Sequence, residues 1–83
     1  MQLDILTPEK KIYSGKVYGI QLPGTEGSFE VLDQHAAMIS SLVKGKMKIL
    51  TDKNNSTSYE INSGFIEVLN NKATVLIEGA IAL

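Results

Sequence analysis

Turn-forming residues recur about every eight to ten residues along this chain, and the apolar runs between them are only strand-length. The turn signals are Pro8-Glu9-Lys10, Pro23-Gly24 through Gly27, Asp33-Gln34-His35, Val43-Lys44-Gly45, the polar residues 52–57 (DKNNST) and Asn70-Asn71. No amphipathic helix of useful length fits between them. Residues 36–42 have the length of a helical turn or two, but their neighbours favour a strand. The spacing predicts an all-β fold, an antiparallel sandwich or barrel of short strands.

The expected strands follow in order. Residues 2–7 form the first and end at Thr7-Pro8. Residues 12–22 alternate as one run, with Val17, Gly19 and Gln21 on one face and Tyr18, Ile20 and Leu22 on the other. Gly15 and Gly19 inside that run suggest a bulge or a close backbone approach. Residues 28–32 and 36–42 are joined through Asp33-Gln34-His35. Val43-Lys44-Gly45 is expected to be a hairpin turn leading into residues 46–51, with Met47 and Ile49 on one face and Lys46 and Lys48 on the other. Residues 58–62, 64–69 and 73–78 complete the set, and Asn70-Asn71 forms a two-residue turn because asparagine tolerates left-handed φ. The last four residues, Ala80 to Leu83, are either a final short strand or a frayed tail.

Composition narrows the functional classes. A chain of 83 residues is one domain with a core that only just suffices. Hydrophobic residues at 43%, charged residues at 20% and a formal net charge of −1 describe a globular protein without the basic stripe of a nucleic-acid binder. There is no cysteine, so disulfides and thiolate metal sites are excluded. Met1-Gln2-Leu3-Asp4 has no secretory-signal character, and no window reaches the roughly 18–20 apolar residues of a membrane span. Any work at a membrane is expected to run through a protein partner.

Residues 22–42 gather glycines, a proline, acids and the sole histidine between two apolar runs. His35 is the obvious candidate catalyst, with Ser28, Asp33 and Ser40 close enough in sequence to form a relay. One histidine with ordinary neighbours is more often structural or interfacial. No metal-ligand spacing is present. Gly24 and Gly27 do not make a phosphate loop, since no helix follows them. Glu26 and Glu30 have the look of a solvated loop face. The run Gly45-Lys46-Met47-Lys48-Ile49 distantly resembles the lysine turn of lipoyl and biotinyl carrier domains. However, alternation puts both lysines on the exposed face of a strand. Met38, Ile39 and Leu42 beside Glu26 and Glu30 suggest an apolar docking patch with a polar rim.

The run PGTEGSFEVLDQHAAMISSLVKGKMKI resembles the epsilon subunits of rotary F-type ATP synthases, called delta in mitochondria. The matching features are Pro23-Gly24, Gly27, Val31-Leu32, His35-Ala36 and Leu42 with Gly45, flanked by LDILTPEKKIYSG and SGFIEVLNNKATVL, so that nearly the whole chain is covered in order. Glu30, Ala37 and Ser63 depart from the usual glycine, proline and glycine. The family usually continues into a C-terminal pair of helices, whereas this chain stops at Leu83. Inhibition of hydrolysis and nucleotide sensing, which the family places in those helices, are therefore not carried over.

The resemblance implies two packed antiparallel sheets of about five strands each, without a helical hairpin. It implies a non-catalytic place in the central stalk, between the gamma subunit and the c-ring and near the catalytic head, coupling ion flow to ATP synthesis. It implies no cofactor and a peripheral position on the cytoplasmic side of a bacterial inner membrane, or the equivalent organellar side. The c-ring-facing loop maps onto Pro23, Gly24, Glu26, Gly27 and Ser28, and the gamma-facing surface onto Thr7, His35, Ala36, Ser40 and Leu42. The alternatives are a lipoyl- or biotin-carrying domain and a sandwich adaptor that binds an extended peptide at a sheet edge.

Overall fold

The computed structural model describes all residues, Met1–Leu83. The chain forms β1 (Gln2–Leu6), β2 (Lys11–Lys16), β3 (Gly19–Gly24), β4 (Gly27–Leu32), β5 (Met38–Leu42), β6 (Gly45–Leu50), β7 (Ser56–Ile61), β8 (Gly64–Leu69), β9 (Lys72–Ile77) and β10 (Ala80–Ala82), with no helix. A front layer runs β10-β7-β6-β3-β4 and a back layer runs β5-β8-β9-β1-β2. A single pairing, Gly24 with Leu42, joins β3 to β5 and makes the whole a curled sheet folded over its core. The expected all-β sandwich is what the chain builds.

Alternation explains the layers. Leu3 and Ile5 on β1, Ile66 and Val68 on β8, and Ala73, Val75 and Ile77 on β9 face inward from the back layer. They meet Ile20, Leu22, Val31, Met47, Ile49 and Ile61 from the front. No polar or charged side chain is buried. Within the core, register therefore rests on the apolar pattern, because a slip of one residue would turn every core side chain to water.

Three expectations need correction. Residues 12–22 are not one strand. The run breaks at Val17-Tyr18, where Val17 N–H donates to Met1 O at 2.9 Å and Tyr18 N–H donates to Leu50 O at 2.8 Å. The chain there leaves β2 at the edge of the back layer and enters β3 in the front layer. Val17 is consequently buried and Tyr18 is 44% exposed, so Tyr18 parts from the buried Ile20 and Leu22 with which the alternation grouped it. Val43-Lys44-Gly45 is likewise not a hairpin: β5 pairs with β8, and β6 pairs with β3 and β7. The segment crosses between layers, tied by Val43 N–H to Pro23 O at 2.9 Å. Finally, β1 and β9 pair in parallel, from Gln2 with Lys72 to Leu6 with Leu76, while every other pair is antiparallel.

The local turn chemistry holds better. Asn70 and Asn71 take φ of 51° and 59°, the left-handed pair of a type I′ hairpin. Gly19 does mark a close approach, since a Cβ there would lie 2.5 Å from Leu32 Cδ2. Ala80 to Ala82 form a strand on β7, not a frayed tail.

Three surface carboxylates are held below the usual range. Asp4 accepts hydrogen bonds from Ser14 Oγ at 2.8 Å and Gln2 Nε2 at 3.1 Å, with Lys72 Nζ 3.4 Å away. Asp33 faces the Met1 ammonium at 2.8 Å, and Asp52 accepts from the Asn55 amide and the Asn54 N–H. A carboxylate whose pKa is lower folded than unfolded contributes stability that is complete above the unfolded value, about 3.9, and vanishes as pH falls through the folded value. The midpoint of thermal unfolding should therefore be flat from neutrality to about pH 5 and fall steadily below about pH 4. A midpoint at pH 3 equal to that at pH 7 would contradict it.

Candidate docking surfaces

The β3–β4 hairpin is the most locally determined site. Pro23 pairs with Ser28 and Gly24 with Gly27, leaving Thr25-Glu26 at the tip. Gly27 supplies the reversal with φ +119°, which only glycine adopts readily. Gly24 serves a different purpose: a Cβ there would sit 2.9 Å from both Gly27 O and the Phe29 ring, so the backbone folds closely onto that ring. All five residues expected to face a ring, Pro23, Gly24, Glu26, Gly27 and Ser28, lie on this hairpin. Residues 24–29 and Ser40 enclose a shallow concavity of about 300 Å³. Glu26 is exposed and takes part in neither of the ion pairs, whereas Glu30 on the flank accepts a 2.8 Å hydrogen bond from Gln21 Nε2.

Of the residues expected to face gamma, Ser40 and Leu42 lie on β5. His35 and Ala36 are exposed in the loop before it, Ser40 lies mid-strand at the rim of the hairpin concavity, and Leu42 closes its far end. Thr7 joins Leu42 at an open groove of about 570 Å³ between the β1–β2 turn and β8–β9. One assignment changes: Leu42 is 4% exposed and belongs to the core, so it offers a partner little more than the groove floor. The exposed apolar residue of this strand is Ile39, at 73%.

Sequence reasoning missed an apolar row across the outer face of the back layer. Phe65 pairs with Leu76 and Leu76 with Leu6, so three apolar side chains stand side by side across β8, β9 and β1 and wall the same groove. The signal was present: β8 reads Phe65-Ile66-Glu67-Val68-Leu69, apolar at outward as well as inward positions.

The catalytic and carrier alternatives find no geometry. Asp33 is engaged by the Met1 ammonium and by Asn71, and the His35 ring lies against Ala36 O at 2.8 Å, so no relay reaches Ser28 or Ser40. Lys46 and Lys48 point outward from the middle of β6, opposite Glu60 and Ser58, not from a turn. No three His, Asp or Glu side chains converge on a common point suited to a metal ion.

Comparison with known proteins bears on the family and the fold. The family model described as ATP synthase, Delta/Epsilon chain, beta-sandwich domain matches residues 1–83. The chain is 41% identical over 83 residues to the ATP synthase epsilon chain of Nitratiruptor sp., covering 100% of this chain and 64% of that one. It is 41% identical over 76 residues to that of Protochlamydia amoebophila, covering 92% of this chain and 52% of the relative. The epsilon chain of Chlorobium limicola matches at 38% over 77 residues, covering 93% of this chain and 88% of the relative. This chain thus spans between about half and nearly all of its relatives' lengths. Among solved structures, a chain of the Euglena gracilis mitochondrial ATP synthase, determined with OSCP, F1 and the c-ring, superposes with a TM-score of 0.90 at 21% identity, covering 96% of this chain and 51% of that chain. At that identity the likeness speaks for the fold. With a family model that matches from Met1 to Leu83 and relatives near 40% identity, the chain belongs to the delta/epsilon chain family of ATP synthases as its β-sandwich domain.

Proposed function

We propose that this domain is a non-catalytic central-stalk element that fixes the gamma subunit to the c-ring, so that rotation driven by ion flow reaches the catalytic head without slippage. The observation that carries the reading is the β3–β4 hairpin, which brings Pro23, Gly24, Glu26, Gly27 and Ser28 together and exposes Glu26, Gly27 and Ser28, with an unpaired carboxylate at the tip. Glu26 meets polar or basic loops of the ring through a salt-sensitive contact. The gamma-facing surface follows β5, with His35 and Ala36 at one end, Ile39 and Ser40 in the middle and Thr7 beyond Leu42 at the other. A load entering at the hairpin passes to β5 through the Gly24–Leu42 pairing and the shared core. The domain takes no cofactor in this role and is held at the membrane surface by its partners, on the side where the catalytic head lies.

Sedimentation of the chain with the cognate gamma subunit, and with gamma bound to the c-ring, tests the reading. A stoichiometric complex with gamma, tightened by the ring, is expected. Glu26→Lys should weaken the ring-dependent increment about tenfold, with the loss fading at high salt, and leave binding to gamma alone within about twofold. An unchanged increment in Glu26→Lys would remove the hairpin from the ring interface.

A further inference from the structure

The loop that carries His35 and Ala36 has few contacts of its own. His35 N–H donates to Leu32 O at 3.2 Å, closing a turn in which Gln34 takes the left-handed φ of +65°. A non-glycine residue holds that conformation only when its surroundings impose it. The imposing group comes from the opposite end of the sequence. Asn71 Oδ1 accepts the Gln34 N–H at 2.8 Å, and Asn71 Nδ2 donates to Asp33 Oδ1 at 2.9 Å. The same carboxylate oxygen lies 2.8 Å from the Met1 ammonium. Asn71 O also accepts the Gln2 N–H at 3.2 Å, so one asparagine ties the β8–β9 turn, the start of β1 and the His35 loop together.

Its neighbour sharpens the point. Asn70 and Asn71 are both left-handed, and a type I′ turn of this kind accepts glycine at either position. The turn therefore does not need the Asn71 side chain. The loop does. The amide places an acceptor and a donor against two successive loop residues, a geometry that neither glycine nor aspartate reproduces.

We propose that Asn71 is a positioning residue for docking: it acts as a latch that presets the loop around His35 in the conformation presented to the gamma subunit. The inference rests on the gamma-facing reading of His35 and Ala36. A preset loop binds with less ordering cost, so the latch raises affinity without touching the partner.

The experiment compares Asn71→Gly with Asn70→Gly in the 83-residue chain, two substitutions that the left-handed φ values of the turn both admit but of which only the first removes the latch. Amide exchange at Gln34 should accelerate about tenfold or more in Asn71→Gly and stay at the parent level in Asn70→Gly, with the β8 and β9 amides unchanged in both. Binding to purified gamma should weaken about three- to tenfold in Asn71→Gly only. Equal Gln34 exchange in the two variants, or equal gamma affinity with Gln34 exchange accelerated, overturns the proposal. If the parent chain does not bind gamma, the stalk reading fails by itself, and Gln34 exchange alone decides whether the latch exists.

Discussion

Gly64→Ala should be the most damaging single methyl in this domain. Gly64 opens β8, paired with Leu42 on one side and Ile77 on the other. A Cβ at this position would lie 2.0 Å from Leu76 O and 2.9 Å from Ile77 Cα. Both obstacles are backbone atoms of β9, so no rotamer change relieves the clash, and β8 must move away from β9 or from β5. Either movement opens the back layer where Leu42, Ile66 and Ile77 pack. Overpacking of a rigid site costs about 3 kcal/mol or more. The whole domain holds roughly 4–12 kcal/mol, at about 0.05–0.15 kcal/mol per residue. The unfolding midpoint should drop by more than about 10 °C. Gly79→Ala is the control, because nothing stands within 4 Å of its Cβ, and it should stay within about 4 °C of the parent. Thermal melts followed by circular dichroism read both, and a Gly64→Ala midpoint beside that of Gly79→Ala would show that β9 yields easily.

What could be read from the sequence divides along a physical line. Side-chain alternation reports which face of a strand is buried, and it placed Met47 and Ile49 inside and Lys46 and Lys48 outside without any knowledge of partners. Turn chemistry is equally local, which is why Asn70-Asn71 and the Gly24–Gly27 hairpin were legible. Alternation says nothing about which strand lies alongside. The parallel β1–β9 pairing joins residues about seventy positions apart, and its register depends on the whole core being formed. The two layer crossings, at Val17-Tyr18 and at Val43-Lys44, were hidden for a related reason. A strand ending at a crossing and a strand ending at a hairpin carry the same turn residues, and only the destination of the Tyr18 and Val43 N–H groups separates them.

The candidate sites follow the same division. The ring-facing hairpin is contiguous in sequence, so its residues remain together however the layers are arranged. The gamma-facing set is assembled from β5, the loop before it and the distant Thr7, and its accessible chemistry is decided by packing. Leu42 sits at the junction of the two layers, where the Gly24–Leu42 pairing pulls its side chain into the core. Nothing in the local pattern distinguished it from Ile39, three residues earlier and on the opposite face. Asn71 was legible as a turn residue and illegible as a latch, because its partners Asp33 and Gln34 lie 38 and 37 positions away.

The contrast between Leu42 and Ile39 supplies the second large effect. Leu42→Asp places a carboxylate at a position with 4% exposure, beside the apolar side chains of Ile77 and Phe65 and with Glu78 on the same groove. No cation is available there, so the charge is either desolvated without a partner or taken up as a proton against the ambient pH. Either route costs several kcal/mol, a large part of the domain's stability. The variant should be largely unfolded near neutral pH, and any loss of gamma binding would report folding. Ile39→Lys asks the docking question cleanly. Ile39 is 73% exposed and stands opposite Glu67, so a lysine there gains a cross-strand partner and should leave the midpoint within about 4 °C of the parent. If β5 is the gamma-facing strand, removing an isoleucine that would become buried at the interface forfeits about 1.5–3 kcal/mol, or roughly ten- to hundredfold in affinity. Circular dichroism and sedimentation with gamma, run on the same two proteins, separate the roles. A folded Leu42→Asp with the parent's midpoint would contradict its place in the core, and an Ile39→Lys that binds gamma as the parent does would move the docking surface off β5.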